Sequence, residues 1–136
     1  MADRTAPVSD LPTLLRSMRP VLNPGTVAFA VAPPHTDLRP LAPLATFREA
    51  EGLTLILDAD TADRAGLLVV FRAAWITLTV HSDLAAVGLT AAVSTALAHI
   101  GVSCNVVAAV HHDHLFVPVA DAERAMACLT RLQRGA

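Results

Sequence analysis

Hydrophobic and polar positions alternate most cleanly between Ala74 and His81. Ile76, Leu78 and Val80 fall on one side, and Trp75, Thr77, Thr79 and His81 on the other, which is the period of a strand with one buried face. Ser82-Asp83 then forms a polar turn, and a helix is predicted from about Ala85 to His99. Its buried stripe is Leu89, Val93, Leu97 and Ile100, with Ser94, Thr95 and His99 facing away and Gly101 as the stop. Val102–Val110 reads as a strand with Val102, Cys104, Val106, Ala108 and Val110 on one side. His111-His112-Asp113 connects it to a strand from His114 to Val119, in which Pro118 suggests an edge position or a bulge. Asp121 caps a final helix whose Ala122, Ala125, Met126, Leu129 and Leu132 pack inward, with Arg131 and Arg134 at its negative end. Residues 74–134 therefore read β-α-β-β-α.

The first half is punctuated by proline: eight of the nine prolines precede Leu44. A short helix opens at Asp10-Leu11-Pro12, capped by Ser9 or Asp10, with Leu11, Leu14, Leu15 and Met18 as its apolar stripe and Pro20 as its end. Asn23-Pro24-Gly25 signals a turn into a strand, Thr26–Ala32, with Val27, Phe29 and Val31 on one face. Pro33 through Pro43 reads as a loop. A strand over Leu53–Leu57, a capped helix over Asp60–Gly66 and a strand over Leu67–Phe71 follow. Two related α+β units are expected, residues 1–72 and 73–136, with the boundary near Arg72-Ala73.

Composition narrows the class. The chain is 54% hydrophobic and 16% charged over 136 residues, enough for one compact core or two subdomains sharing one. Ten basic and twelve acidic residues are scattered, leaving a formal charge of -2 and no electrostatic footprint for nucleic acid or an anionic membrane. The longest apolar run, Ala65 to Phe71, is far short of the ~20 residues that cross a bilayer. The start, MADRTAPVSD, lacks the pattern of a secretory signal, so a cytoplasmic protein is expected. Cys104 and Cys128 form no C-x-x-C pair, and both are expected as free thiols.

Several motifs occur in an order that resembles a known family. They are Trp75-Ile-Thr-Leu-Thr-Val-His-Ser-Asp-Leu84, Ala86-Val-Gly-Leu-Thr-Ala-Ala-Val-Ser94, Gly101-Val-Ser-Cys-Asn-Val-Val-Ala-Ala109 and His112-Asp-His-Leu-Phe-Val-Pro118. Together they resemble the C-terminal module of small stand-alone tandem-ACT proteins of bacteria. Phe47-Arg-Glu-Ala-Glu-Gly-Leu-Thr-Leu-Ile-Leu57 resembles the less typical first module. One departure is Ala109, where the family pattern has glycine. The resemblance implies two ferredoxin-like βαββαβ modules, antiparallel sheets with helices on one face. It further implies a regulatory protein that binds an amino acid or similar metabolite, commonly as a homodimer and without catalysis or cofactor.

The candidate ligand element is the turn from Ser82 to Gly88, where a strand hands over to a helix whose free N–H groups and positive dipole end suit a carboxylate. Its candidate residues are Ser82, Asp83, Leu84, Val87 and Gly88. Ser82 offers a hydroxyl, Asp83 a carboxylate for an ammonium group, and Gly88 close backbone approach. Ordinary helix capping explains the same residues. Asn105, on the neighbouring strand, and Asp113 join the set, as does Glu51 of the first module, beside Glu49; solvated charges before a strand are the plainer reading for both glutamates. His111, His112 and His114 suggest a metal alternative with His81 or Asp113, against a loop-stabilising network around Asp113. Cys104 lies among apolar residues, where an inert thiol is the default, and no catalytic triad or nucleotide fingerprint appears. The competing functions are a ligand-binding sensor, a ligand-free homodimeric interaction module using Trp75 and Val107, and a histidine-dependent metal binder.

Overall fold

A computed structural model describes residue 7 and residues 9–135. The opening residues read above for a secretory signal lie in part outside these. The chain packs as two units, one formed by residues 24–74 and the other by residues 75–135 together with the segment up to Asn23. The first is called the inserted unit, and the second the split unit.

In the inserted unit, β2 (Val27–Ala32) pairs antiparallel with β4 (Gly52–Asp58), which pairs antiparallel with β3 (Ala45–Glu49). The first part of β5 (Leu68–Leu78) closes the other side of β2, giving the order β3-β4-β2-β5. The helix α2 (Ala59–Arg64) starts at Asp58, whose carboxylate accepts the Thr61 backbone N–H at 3.0 Å. The core face of β2 is Ala28, Ala30 and Ala32, while Phe29 and Val31 lie on the opposite face. Leu53, Leu55 and Leu57 of β4 join the alanines, as do Ala59 and Ala62 of α2. Residues 33–44 remain a loop because Pro33, Pro34, Pro40 and Pro43 deny helical hydrogen bonds. That loop nonetheless delivers Leu41 and Leu38 to the core, and the small alanine side chains leave room for it.

In the split unit, the second part of β5 pairs antiparallel with β1 (Pro20–Leu22), with Pro20 opposite Leu78. On its other side lies β7 (Asp113–Pro118), which pairs with β6 (Asn105–Ala108), so the order is β1-β5-β7-β6. Three helices belong here: α1 (Leu11–Ser17), α3 (Leu89–His99) and α4 (Ala122–Arg134). Buried Leu14 and Met18, Val93 and Leu97, and Ala125, Cys128 and Leu129 supply their inward faces. Arg124 holds the C-terminal end of α3 by donating to the Ile100 carbonyl, and its other nitrogen bonds Asp121 at 3.0 Å. In each unit the hairpin lies beside the strand that precedes it in the chain, β2 or β5, and a further strand flanks that one: β5 in the inserted unit and β1, which comes before β5 in the chain, in the split unit.

Several expectations need correction. By packing, residues 9–23 group with residues 75–135, because β1 pairs with β5 and α1 packs on α3 and α4. The two strands expected over Leu67–Phe71 and Ala74–His81 are one, β5, since no breaker lies between them. β1 and β3 escaped notice: the first is three residues long, and the second has a mostly exposed, charged sequence. The helix α3 begins four residues later than expected, at Leu89, and β6 covers only Asn105–Ala108. Pro118 ends β7 and starts a short 3-10 turn (Val119–Asp121), so an inner strand tolerates it without an edge position. Ala109 has no left-handed backbone, so the missing glycine costs nothing there.

Candidate functional site

After β5 the chain runs through residues 79–88 before α3 begins. The Asp83 carboxylate accepts the Ala85 N–H at 2.9 Å and its carbonyl accepts the Ala86 N–H, which makes a self-contained turn. Gly88 is the N-cap of α3, with φ of 107° and no side chain to bond the first free N–H groups. A Cβ at this position would lie 2.9 Å from Leu11 Cδ2. The requirement for glycine therefore comes from α1 and from the left-handed backbone.

Beneath this turn is a recess of about 90 Å³, lined by Ser82, Asp83, Leu84, Ala86, Gly88, Leu89, Thr90, Ala108 and Asp113. Asp113 is its most unusual member: a carboxylate only 7% exposed, accepting a hydrogen bond from the Ser82 hydroxyl at 3.2 Å. The β6–β7 hairpin puts it there, with Asp113 opposite Ala108 in register and the Ala109 N–H donating to the His112 carbonyl. A buried carboxylate and an uncapped helix start in the lining of one small space supply an acceptor and a set of backbone donors.

Ser82, Asp83, Leu84, Gly88 and Asp113 thus line one recess. Val87 does not line it and is 84% exposed, because it precedes the helix on the outer side of the turn. Asn105 is exposed on β6, opposite Phe116. Glu51 is exposed at the β3–β4 turn of the inserted unit. Leu89, Thr90 and Ala108 were not among the expected site residues, since only the later helix start and the hairpin register bring them to the recess.

The histidines divide. Strand alternation sends Asp113 toward the recess and His114 to the other face, where its Nδ1 accepts the Trp75 indole N–H at 3.0 Å and lies 3.2 Å from the Thr77 hydroxyl. Asn23 completes this group by donating to Thr77 at 2.9 Å. Burial holds the His114 imidazole below its ordinary pKa, His112 pushes the same way, and Asp113 opposes them. The His81 and His111 rings lie 5.7 Å apart. Among the described residues no three His, Cys, Asp or Glu side chains come together in a metal-binding group. Cys104 and Cys128 are free thiols, and burial raises Cys104 to about 11, which suppresses the thiolate a nucleophile requires. Among the described residues no helix is long and apolar enough to cross a membrane.

Comparison with known proteins gives a consistent picture. Two models of the ACT domain match in tandem, over residues 6–74 and 70–131. A solved structure from Vibrio cholerae, of unknown function and described as a possible transport protein, is 47% identical. It matches 90% of this chain and 95% of its own with a TM-score of 0.82. A protein from Agrobacterium tumefaciens, 18% identical, matches 85% and 89% of the two chains with a TM-score of 0.67. The regulatory subunit of aspartate kinase from Thermus thermophilus, 13% identical, matches 83% and 95% with a TM-score of 0.64. At these last two identities the likeness concerns the fold. No curated protein matches the chain in sequence.

Proposed function

Because the chain belongs to the ACT family, whose tandem domains are ligand-binding regulatory modules, we propose that it is a sensor of a free amino acid or similar small metabolite, without catalytic activity of its own. The observation that carries this reading is the recess between the β5–α3 turn and the β6–β7 hairpin, where the buried Asp113 faces an uncapped helix start. The α-carboxylate is received by the N–H groups at the start of α3, and the α-ammonium by Asp113. Asp83 is less suited to the ammonium role, since its carboxylate already serves the Ala85 N–H. The recess holds only the charged head of such a ligand. Its side chain lies at the mouth, beside the exposed Leu84.

Thermal unfolding in the presence of each common L-amino acid tests the proposal. At a hundredfold excess over Kd one of them stabilises the protein by about 2.7 kcal/mol. Ser82→Ala and Asp113→Asn abolish that shift. Absence of any shift across the panel, with no heat of binding by calorimetry, overturns the reading. A homodimeric interaction module is the second reading, supported by exposed Leu84 and Val87 and by the β6 edge, which has one neighbour in the sheet order. A stable dimer by sedimentation that ignores every amino acid favours it.

A further inference from the structure

Strand register in the inserted unit assembles an apolar face on the side of the sheet away from α2. Phe47, Thr54, Val31 and Leu68 stand in one row across β3, β4, β2 and β5, and Ala45, Ile56, Phe29 and Phe71 stand in the next. None of these residues carries a charge, and Thr54 is the one polar member. Alternation sends Leu53, Leu55, Leu57 and the β2 alanines to the other face, where they form the core. It sends Arg48 and Arg72 there as well, since they pair with Leu53 and Ala28, and Asp63 holds Arg72 at 2.7 Å. Glu49 and Asp58 bound the two rows at either end along the strands. Both already accept hydrogen bonds, from the Thr54 hydroxyl and the Thr61 N–H.

An antiparallel sheet with one face in water ordinarily places polar residues there. Here the outer face is apolar too: Phe47 is 72% exposed and Leu68 66%, with Thr54 and Val31 in the row between them. Phe29 and Phe71 pack edge to face with ring centroids 5.7 Å apart, which fixes the floor of the patch. Ile56, flanked in register by Ala45 and Phe29, is already buried, so the apolar layer is continuous. Contiguous apolar surface of this kind marks a contact site. We propose that this face is where two copies of the chain meet, packed sheet on sheet. Its lack of charge favours a second copy as the occupant, because setting the face on itself brings no like charges together. The area agrees: two apposed copies bury roughly 1,000 Å² in total, the lower end for a specific interface. The dimer is accordingly reversible, with Phe47 and Leu68 as its anchors. The inference rests on the homodimeric reading above for its partner, but it uses neither Leu84 and Val87 nor the β6 edge.

Sedimentation velocity of the full chain over a wide range of protein concentration tests the proposal. The expected result is a concentration-dependent equilibrium between monomer and dimer. Phe47→Glu or Leu68→Glu weakens it about tenfold or more, as loss of an interface anchor does, while Val87→Glu leaves it intact. Both anchors are exposed, so the two variants keep the circular dichroism spectrum of the parent. A parent that stays monomeric at every concentration overturns the proposal, as does a dimer that survives both anchor substitutions. Dissociation by Val87→Glu alone moves the contact to the β5–α3 turn and overturns it too. So does a monomer that cosediments with phosphatidylcholine vesicles and loses them on Phe47→Glu, which assigns the face to a lipid surface. Failure of the sensor reading is seen separately, in the thermal shift with amino acids, which Phe47→Glu leaves unchanged.

Discussion

At Gly88 two independent constraints meet, a left-handed backbone and a Leu11 methyl within 2.9 Å of where a Cβ would stand. Gly88→Ala should therefore destabilise the protein by about 1–3 kcal/mol in urea unfolding, with or without ligand. The same substitution is consequently a poor probe of binding, whereas Ser82→Ala acts inside the recess. His114 offers a second residue-level test. Its Nδ1 accepts from Trp75, a bond that protonation destroys, and its pKa is lowered from 6.5. Between the lowered value and 6.5 the unfolded chain binds more protons than the folded one, so stability falls as pH drops through that window and is complete above it. His114→Asn keeps an acceptor near the indole and removes the titration. Its urea midpoint should change less than that of the parent as pH falls below 6.5.

Elements explain which parts of the chain could be read in advance. The β5 alternation, the Leu89-Val93-Leu97 stripe and the Asp10 cap are local signals, and the corresponding elements form where apolar spacing or side-chain oxygens dictate. β1 and β3 carry no such signal. Pro20-Val21-Leu22 is a strand only because β5 lies beside it, and Ala45–Glu49 only because the turn at Gly52 folds it onto β4. The importance of β1 is testable. A fragment of residues 73–136 contains an apparent βαββα module but lacks β1 and α1, with buried Leu14 and Met18. It should fail to give a cooperative thermal transition by circular dichroism, while the full chain gives one. A cooperative fragment would remove β1 and α1 from the essential core of the split unit.

For the whole molecule, residue patterns by themselves determined that two related α+β units share the chain, that residues 74–134 read β-α-β-β-α, and that the turn from Ser82 merits attention. These properties depend on periodicity, breakers and caps, all of which act over a few residues. Tertiary structure alone decided that residues 9–23 pack with residues 75–135, and that Asp113 turns inward to Ser82 while His114 turns to Trp75. Each depends on strand register or on contact between segments distant in sequence. A shift of one residue in register would exchange Asp113 with His114, and local spacing carries no information about which of the two registers the sheet adopts.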